Sequence, residues 1–460
     1  MRTEKDHLGE ELLDDEAFYG LSTTRAQRLF NVSGYRWQRT FIKSLAIVKQ
    51  AAIQSCWELG YMEEDKARAL LQAAQILEEG ALDDQIVVDP FQGGAGTATN
   101  LNINEVLANQ ALELMGLEKG RYDVIHPLDD VNRFQSTNDV IPTAARLAVI
   151  YALKDLEQAI EKMQEALQEK ERQFARLVKS GRTQYQAAVP VSLGMEFGTW
   201  AEAIARDRWR VFKSVERIKV VNIGGTAVGT GITAPRKYIF RVIDHLRRFS
   251  RLGVARAENL VEATANNDVF SEVSGIMRAH AGNLMKIGND LRFLSSDVCG
   301  EILLQPLIRG SSIMPGKVNP VMPELMVQCG MKVLGNDAII AQAAAAGHLE
   351  LNAFVPLIVY TLLESLEMLT HVDEKAVAYC IPSIMADEGR IHDNFMRSNA
   401  LVTALLPVLG YSQAEVVWNY MQEHKLDIRE ANQALGFLPQ EKLQDLLIPE
   451  NLLKLGEAEI

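Results

Sequence analysis

One segment of the sequence combines residues suited to base chemistry with a backbone that cannot form a continuous helix. Residues 308–324, IRGSSIMPGKVNPVMPE, contain two glycines and three prolines, and they carry the paired serines Ser311 and Ser312 together with Lys317 and Asn319. A loop of this kind can close over a substrate and bring Ser311 and Lys317 to one carbon centre. The alternative is a mobile surface loop without function.

A second segment places small and hydroxyl-bearing residues together before a helical pattern. Residues 91–105, FQGGAGTATNLNINE, contain three glycines followed by a cluster of threonine and asparagine. Glycine lets backbone amides line an anion site, and Thr97 and Asn100 can donate to a carboxylate. A plain glycine loop that caps a helix explains the same pattern.

A third segment lies directly before a long helical pattern. In HPLDDVNRFQSTNDVIPTA, residues 126–144, the side chains of Ser136, Thr137, Asn138 and Asp139 precede the helix. The N-terminus of a helix with such side chains is a ready-made carboxylate site. Simple capping of the helix is the alternative.

The segment SGRTQYQAAVP, residues 180–190, joins two long helical patterns. Its Gly181 permits a turn, and we expect Thr183 and Gln184 to lie on that turn. Taken alone, this stretch predicts no more than a loop.

The elements that must position these segments are long helices. Apolar residues recur at intervals of three and four, with Gly or Pro at the boundaries, over five stretches: 143–178, 191–222, 269–296, 320–346 and 353–380. Such helices predict an all-α fold with an elongated central bundle, whose leftover apolar faces, such as AIIAQAAAAG, are best buried against other subunits. Loose boundaries divide the chain into an N-terminal helical domain, a central bundle domain that carries the 308–324 loop, and a small C-terminal helical domain: residues 1–136, 137–388 and 389–460.

Composition excludes several classes of function. Hydrophobic residues make up 48% and charged residues 23%, which is typical of a globular protein, and the formal charge of −13 without a basic run argues against nucleic-acid binding. No stretch approaches a membrane span, and the polar N-terminus is not a signal peptide, so we expect a cytoplasmic protein without a membrane partner. The four cysteines are scattered, the histidines show no metal-ligand spacing and no nucleotide-binding motif is present, so neither a metal nor another cofactor is expected.

The sequence GSSIMPGKVNP at residues 310–320 closely resembles the signature loop of the fumarase/aspartase superfamily. Four further blocks resemble the other motifs of this family, in the same order and at similar separations: NEVLANQALELMG, HPLDDVNRFQSTND, GRTQYQAAVP and GGTAVGTG. The argininosuccinate and adenylosuccinate lyases resemble the chain less, because their loops differ at the places of Gly316 and Val318. The resemblance implies three helical domains and a homotetramer with a twenty-helix core, in which three subunits build each active site.

The resemblance also implies roles for single residues in the binding of a small dicarboxylate. Ser311 matches the general base of the family. Contacts to the substrate carboxylates are matched by Ser312, Lys317, Asn319, Thr97, Ser136, Thr137, Asn138 and Thr183. Proton loss next to a carboxylate creates an unstable doubly negative aci-carboxylate, so preorganised donors are expected to supply most of the catalysis, and closing the loop must stabilise the Ser311 alkoxide.

Two positions bear on the choice of substrate. Gln184 stands where fumarases and some aspartases have histidine and other aspartases have glutamine, and Ala95 stands where fumarases usually have serine. Both favour a lyase that releases ammonia from L-aspartate to give fumarate. Ala187, Ala98 and Leu128 depart from the pattern of the family and put the substrate in question. The alternatives are a fumarate hydratase, a lyase of a related substituted succinate, and a relative without catalytic activity.

Overall fold

The computed structural model describes residues 1–456, and the prediction of an all-α fold is confirmed. Five helices are much longer than the others: α5 (Thr137–Gln173), α6 (Leu193–Ile218), α9 (Asp268–Leu294), α10 (Val321–Ala345) and α11 (Val355–Tyr379). The last four begin and end within four residues of the predicted boundaries. The 3.6-residue periodicity of apolar side chains therefore located four of the five long helices.

Helix α5 begins six residues before the predicted start. The predicted helix began after Pro142, whereas this proline lies inside the observed helix. A proline within a helix removes the N–H that would bond the carbonyl four residues earlier, which here belongs to Asn138. That carbonyl instead accepts a hydrogen bond of 3.0 Å from the side-chain amide of Asn222. The helix consequently continues through the proline.

Among residues 1–456 the strands are short and form four separate pairs. Three pairs are antiparallel and one, β5 with β6, is parallel. In chain order the strands are β1 (Arg2–Asp6), β2 (Gly9–Leu13), β3 (Val178–Thr183), β4 (Gln186–Ser192), β5 (Val220–Val221), β6 (Ala255–Arg256), β7 (Ile302–Leu303) and β8 (Met385–Ala386).

The prediction of a loop at residues 180–190 was wrong, because this segment is the β3–β4 hairpin. Ser180 pairs with Pro190 and Thr183 with Gln186, and the ladder is irregular between Ser180 and Arg182. Gly181 therefore lies within a strand and not at the turn. A Cβ atom on Gly181 would lie 3.0 Å from the carbonyl oxygen of Val189, which explains the glycine at this close approach.

The first of two compact units comprises residues Met1–Glu157, Trp209–Ala279 and Lys332–Leu369. Its shorter helices are α1 (Leu21–Phe30), α2 (Arg39–Glu58), α3 (Glu64–Glu79), α4 (Thr97–Leu114), α7 (Arg236–Ser250) and α8 (Leu260–Ala265), with a 3-10 turn at Asp83–Gln85 and a π-helical turn at Pro127–Val131. Helix α2 packs against α3 and α7 and is buried on almost every side. It is the central helix of this unit, and it includes the buried Lys49.

The second unit comprises residues Gln158–Arg208, His280–Met331 and Thr370–Ile460, described as far as residue 456. Its shorter helices are α12 (Glu388–Met396), α13 (Asn399–Ala404), α14 (Leu406–Leu409), α15 (Tyr411–His424), α16 (Ile428–Leu435), α17 (Gln440–Leu446) and α18 (Pro449–Leu452), after a 3-10 turn at Ile381–Ser383. These small helices share one apolar core that includes Leu401, Val417 and Ile428.

A buried histidine joins long helices within the second unit. The ring nitrogens of His280 lie 3.1 Å from a carboxylate oxygen of Asp207 and 2.9 Å from one of Asp373. Burial alone would lower the pKa of His280, but the carboxylates of Asp373 and Asp207 raise it to about 10. The ring is therefore held as an imidazolium that donates a hydrogen bond from each nitrogen.

The expectation that no stretch is long and apolar enough to span a membrane was wrong. Residues Val355–Ser383, which include α11, are long and apolar enough to cross a bilayer. The most apolar window of this segment is 61% buried within the fold, and its Asp373 is bonded to His280. Burial of this kind is typical of a core helix in a helical bundle.

Candidate active site

The 308–324 loop is closed at its base by a close approach between two backbone segments. A Cβ atom on Gly310 would lie 2.1 Å from the carbonyl oxygen of Lys317, so only glycine fits there. The side-chain amide of Asn319 donates a hydrogen bond of 2.6 Å to the carbonyl of Gly310. These two contacts hold the ends of the segment 310–319 together.

Ser311 lies at this closed base, where its hydroxyl oxygen faces backbone donors. Ser311 Oγ accepts hydrogen bonds of 3.1 Å from the amide of Ile313 and 3.0 Å from the amide of Met314. Two amides directed at one oxygen favour its negatively charged form over the neutral hydroxyl. The arrangement is suited to a serine that loses its proton.

The polar residues of the loop differ in exposure. Ser312 and Lys317 are exposed, whereas Ser311 and Asn319 are half-buried. Residues 306–318 line an open cleft of about 750 Å³. Lys317 forms no ion pair with any of residues 1–456, so its ammonium group is free to meet an anion.

The tip of the β3–β4 hairpin presents Thr183 and Gln184 to the exterior. The two turn residues, Gln184 and Tyr185, have φ values of 52° and 63°, which is the left-handed conformation of a two-residue hairpin turn. Non-glycine residues adopt it at a cost in free energy, and such strain tends to persist at functional positions. Thr183 and Gln184 are both exposed.

A group of charges around the buried Lys179 and Glu301 supports the base of this hairpin. Lys179 bonds Glu196 at 2.6 Å and Glu301 at 2.8 Å, and Arg182 holds Glu301 through two hydrogen bonds of 3.0 Å and 2.6 Å. Burial alone would raise the pKa of Glu301, but the hydrogen bond from Arg182 and the charge of Lys179 outweigh it and lower that pKa. Glu301 therefore remains ionised and fixes both cations.

At the N-terminus of α5, the predicted carboxylate contacts are also capping residues. Ser136 Oγ accepts a hydrogen bond of 3.2 Å from the amide of Asn138, and the carboxylate of Asp139 accepts one of 2.9 Å from the amide of Ser136. The side chain of Asn138 donates to the carbonyl of Ala227 at 2.7 Å. Capping and anion binding are compatible here, because the Ser136 hydroxyl keeps its proton for a further acceptor.

Asp139 anchors this helix to the glycine-rich segment GGTAVGTG. Its carboxylate accepts hydrogen bonds from the amides of Gly224 at 3.1 Å and Thr226 at 2.9 Å. Complete burial raises the pKa of Asp139 to about 6, although these amides and that of Ser136 oppose the shift. The carboxylate is a structural anchor and has no exposed oxygen to offer a substrate.

Thr97 begins α4, after a turn in which three consecutive residues have positive φ. Gly94, Ala95 and Gly96 have φ values of 86°, 58° and 95°. The exposed Thr97 hydroxyl donates to the carbonyl of Gly94 at 2.7 Å. One turn further along the helix, Asn100 is buried, and its amide lies 3.5 Å from the hydroxyl oxygen of Thr137.

The predicted site residues thus fall into two groups. Thr97, Ser136, Thr137 and Asn138 belong to the first unit, whereas Thr183, Gln184, Ser311, Ser312, Lys317 and Asn319 belong to the second. Within the first unit, hydrogen bonds connect the start of α4 with the start of α5. Within the second, the candidate base and the candidate cation share one closed loop.

Known proteins that are similar to the chain identify its family. The family described as "Lyase" matches residues 14–335, and "Fumarase C C-terminus" matches residues 401–454. An aspartate ammonia-lyase of a Bacillus species is 41% identical over 461 residues, covering 100% of this chain and 98% of the relative. The chain belongs to the fumarase/aspartase superfamily of lyases.

Other superfamily members extend this result. A solved structure from Brucella melitensis, described as a fumarate lyase:delta crystallin bound to cobalt, has a TM-score of 0.93 at 40% identity and covers 98% of both chains. A class II fumarate hydratase of Bradyrhizobium diazoefficiens is 37% identical over 459 residues, 99% of this chain and 97% of the relative. The predicted family and the prediction of a lyase are confirmed, and members with two different reactions are similar to the chain along its whole length.

Lys49, Asn104 and Asn132 were not predicted from the sequence, and they form a hydrogen-bonded cluster with Asn100 in the first unit. Burial lowers the pKa of Lys49 to about 7, and the charge of Asp139 opposes the shift only in part. The available signal was a lysine in the apolar run FIKSLAIVKQAAI, which sequence alone does not distinguish from a surface lysine. Within residues 1–456, no group of three His, Cys, Asp or Glu side chains is placed to hold a metal ion.

Proposed function

We propose that the protein is an aspartate ammonia-lyase, which eliminates ammonia from L-aspartate to give fumarate with Ser311 as the general base. The observation that carries the proposal is the position of Ser311 Oγ, which accepts hydrogen bonds from two backbone amides on a closed loop. The ammonia-lyase that is 41% identical along the full chain supports the same reaction.

In the proposed reaction, the Ser311 alkoxide takes the proton from the carbon next to the side-chain carboxylate of aspartate. The electrons of the broken C–H bond move into that carboxylate and form the aci-carboxylate. They then return to make the carbon–carbon double bond, while the C–N bond of the adjacent carbon breaks and ammonia leaves. The amides of Ile313 and Met314 stabilise the alkoxide before the proton is taken.

We infer that the carboxylate contacts combine one cation with several neutral donors. Lys317 is an exposed, unpaired cation among the described residues, and Ser312 lies exposed on the same loop. Asn319 donates one of its two amide protons to the carbonyl of Gly310, and the second proton remains for a substrate. Thr97, Ser136, Thr137, Asn138 and Thr183 contribute hydroxyl and amide groups. Donors placed before the reaction act on the developing charge without reorganising.

The choice of ammonia as the leaving group is supported by Gln184. An amide does not ionise near neutral pH, so Gln184 can donate a hydrogen bond to a carboxylate but cannot act as an acid or base. The protonated amino group of aspartate leaves as neutral ammonia and needs no acid, whereas a hydroxyl group would leave as hydroxide and requires one. The alternative is a fumarate hydratase or a lyase of another substituted succinate, and the 37% identical fumarate hydratase favours it.

We further propose a cytoplasmic homotetramer of three-domain subunits, with domains at residues 1–136, 137–388 and 389–460 and with each active site built from three chains. Apolar side chains exposed on α10 support an oligomer, since Leu325, Met331, Leu334 and Ile339 are 37–58% exposed. The four free cysteines are typical of a reducing compartment. Neither nucleic acid nor a membrane is a proposed partner, and the reaction uses no cofactor.

The proposal is tested by incubating the purified protein separately with L-aspartate and L-malate and following the formation of fumarate by its ultraviolet absorbance. We expect fumarate from L-aspartate at a far higher rate than from L-malate. Fumarate formed efficiently from L-malate, with none from L-aspartate, would replace the proposal by the hydratase alternative.

A further inference from the structure

Lys49 is a fully buried lysine whose ammonium group contacts only neutral acceptors. Its Nζ donates to Asn132 Oδ1 at 3.0 Å and to Gln135 Oε1 at 2.9 Å. A buried charge is expensive unless an opposite charge lies beside it, so amide oxygens offset only part of the cost. The first unit therefore holds an ammonium group that lacks a paired anion.

The Asp139 carboxylate, whose charge acts on Lys49, is hydrogen-bonded to other groups. Asp139, at the start of α5, uses one oxygen for the amide of Ser136 and the other for the amides of Gly224 and Thr226. On α7, which packs against α2, the Tyr238 hydroxyl is buried, and burial raises its pKa well above the ordinary value.

The carboxylate of Glu105, on α4, likewise belongs to another part of the unit. It is bonded to the amides of Gly20, Ser22 and Thr23 at the start of α1. Within the described chain, neither Asp139, Tyr238 nor Glu105 is a direct partner of the ammonium group.

A chain of amide side chains leads from Lys49 to one of the candidate substrate contacts. Asn132 Oδ1 also accepts from Asn100 Nδ2 at 3.1 Å and from Asn104 Nδ2 at 3.3 Å. Asn100 Nδ2 in turn lies 3.5 Å from Thr137 Oγ1. Because Thr137 Oγ1 accepts from Asn100, its own proton is left for another acceptor.

Two atoms of this cluster show that its hydrogen bonding is incomplete. The amide oxygens Asn100 Oδ1 and Asn104 Oδ1 are buried, and neither has a hydrogen-bond partner among residues 1–456. Unpaired buried acceptors are rare and usually mark a position where another group binds or rearranges. The cluster between Lys49 and Thr137 therefore contains an ammonium group without a paired anion and two amide oxygens without hydrogen-bond donors.

We propose that Lys49 is a positioning residue, and that a carboxylate of the bound substrate is the anion that its buried ammonium group lacks. Lys49 fixes the orientation of the Asn132 amide, Asn132 orients Asn100, and Asn100 orients the Thr137 hydroxyl to donate to the carboxylate. This inference rests on the proposed binding of a dicarboxylate to Thr137, but not on which leaving group the substrate carries.

The proposal predicts that binding of a dicarboxylate draws a proton into the protein. With a pKa of about 7, Lys49 is about half neutral in the free protein at pH 7, and a carboxylate brought near it favours the charged form. On fumarate binding, Lys49 should take up about half a proton per chain at about pH 7 and almost none at about pH 5.5, where it is already charged. Uptake by Asp139, whose pKa is about 6, would instead fall mainly below pH 7. The uptake is measured by titration calorimetry in buffers of different ionisation enthalpy.

Two variants assign the proton to Lys49. Lys49→Met removes the charge at similar volume and should abolish the uptake, with fumarate binding at least about tenfold weaker at about pH 6. Lys66→Met is the matched control, because Lys66 is a partly buried lysine of the same unit that pairs with Asp130 at 3.4 Å. It should retain the uptake of the unmodified protein.

The outcomes separate this proposal from the proposed function. Binding of fumarate or L-aspartate without proton uptake near pH 7, or with uptake that persists in folded Lys49→Met, would overturn the role of Lys49 alone. No binding of either compound to the unmodified protein would overturn the proposed function together with this role. Should Lys49→Met not fold, the pH dependence of uptake by the unmodified protein decides the question.

Discussion

Replacing Gly310 by Ala should widen the base of the 308–324 loop without unfolding the protein. The new Cβ would lie 2.1 Å from the carbonyl oxygen of Lys317, and real Cβ contacts are essentially never closer than 3.0 Å, so one strand of the loop must move by about 1 Å. A misplacement of that size at a reacting group costs about a hundredfold in rate. We therefore expect kcat/KM to fall at least about a hundredfold, which corresponds to about 2.7 kcal/mol of transition-state stabilisation.

The same substitution should have a much smaller effect on stability. The loop is largely exposed, and the hydrogen bond from Asn319 to Gly310 contributes only about 0.5–1.5 kcal/mol. Steady-state rates with L-aspartate and urea unfolding followed by circular dichroism measure the two effects separately. Gly253→Ala is the control, because a Cβ atom on Gly253 meets no atom within 4 Å and that residue should tolerate alanine. Unchanged kcat/KM in Gly310→Ala would show that the closed loop base is not required for catalysis.

Ser311→Ala should lower kcat by at least about a thousandfold in a folded protein, and comparable turnover would remove Ser311 as the base. Lys317→Met should raise KM as well as lower kcat, because a cation beside a carboxylate acts in the ground and transition states, and an unchanged KM would contradict that role. Mixing inactive Ser311→Ala and Thr183→Val proteins and refolding them together should restore part of the activity if subunits share sites, whereas hybrid tetramers without activity would place each site within one chain. The pKa of His280, about 10 in the folded protein, exceeds the unfolded value of about 6.5, so the contribution of this residue to stability is complete below about pH 6.5 and is lost as pH rises through 10. In urea titrations, His280→Leu should therefore destabilise the protein more at pH 6 than at pH 10. An equal effect at both pH values would show that His280 is not an imidazolium.

The long helices could be predicted because their evidence is local. The apolar stripes of α6, α9, α10 and α11 repeat at helical spacing, and glycine or proline marks most of their ends. The β3–β4 hairpin could not be predicted in the same way. Its two-residue turn uses Gln184 and Tyr185 at positive φ, where asparagine and glycine are the usual signals, and Gly181 in the strand suggested a turn at the wrong place.

The polar loop residues of the candidate site could be proposed from the sequence, whereas the buried residues that contact one another inside the first unit could not. Ser311, Lys317 and Asn319 could be proposed because a loop rich in glycine and proline isolates them from other polar groups. Lys49 and Asn132 are 83 residues apart, and no local pattern connects them. Contacts of that separation depend on how α2 packs in the first unit, which periodicity does not specify.

In two of the segments the candidate side chains are held in place by a buried carboxylate. Glu301 and the half-buried Arg182 support the strained hairpin tip with Gln184, and the carboxylate of Asp139 supports the start of α5. Each support is costly to bury, and the cost is accepted because a donor fixed before the substrate arrives need not be ordered during the reaction. An acidic protein with a net charge of −13 repels a dicarboxylate at long range, so its binding must depend on such fixed local donors. Catalysis in this chain should accordingly be as sensitive to substitution of the buried supports as to substitution of the residues that touch the substrate.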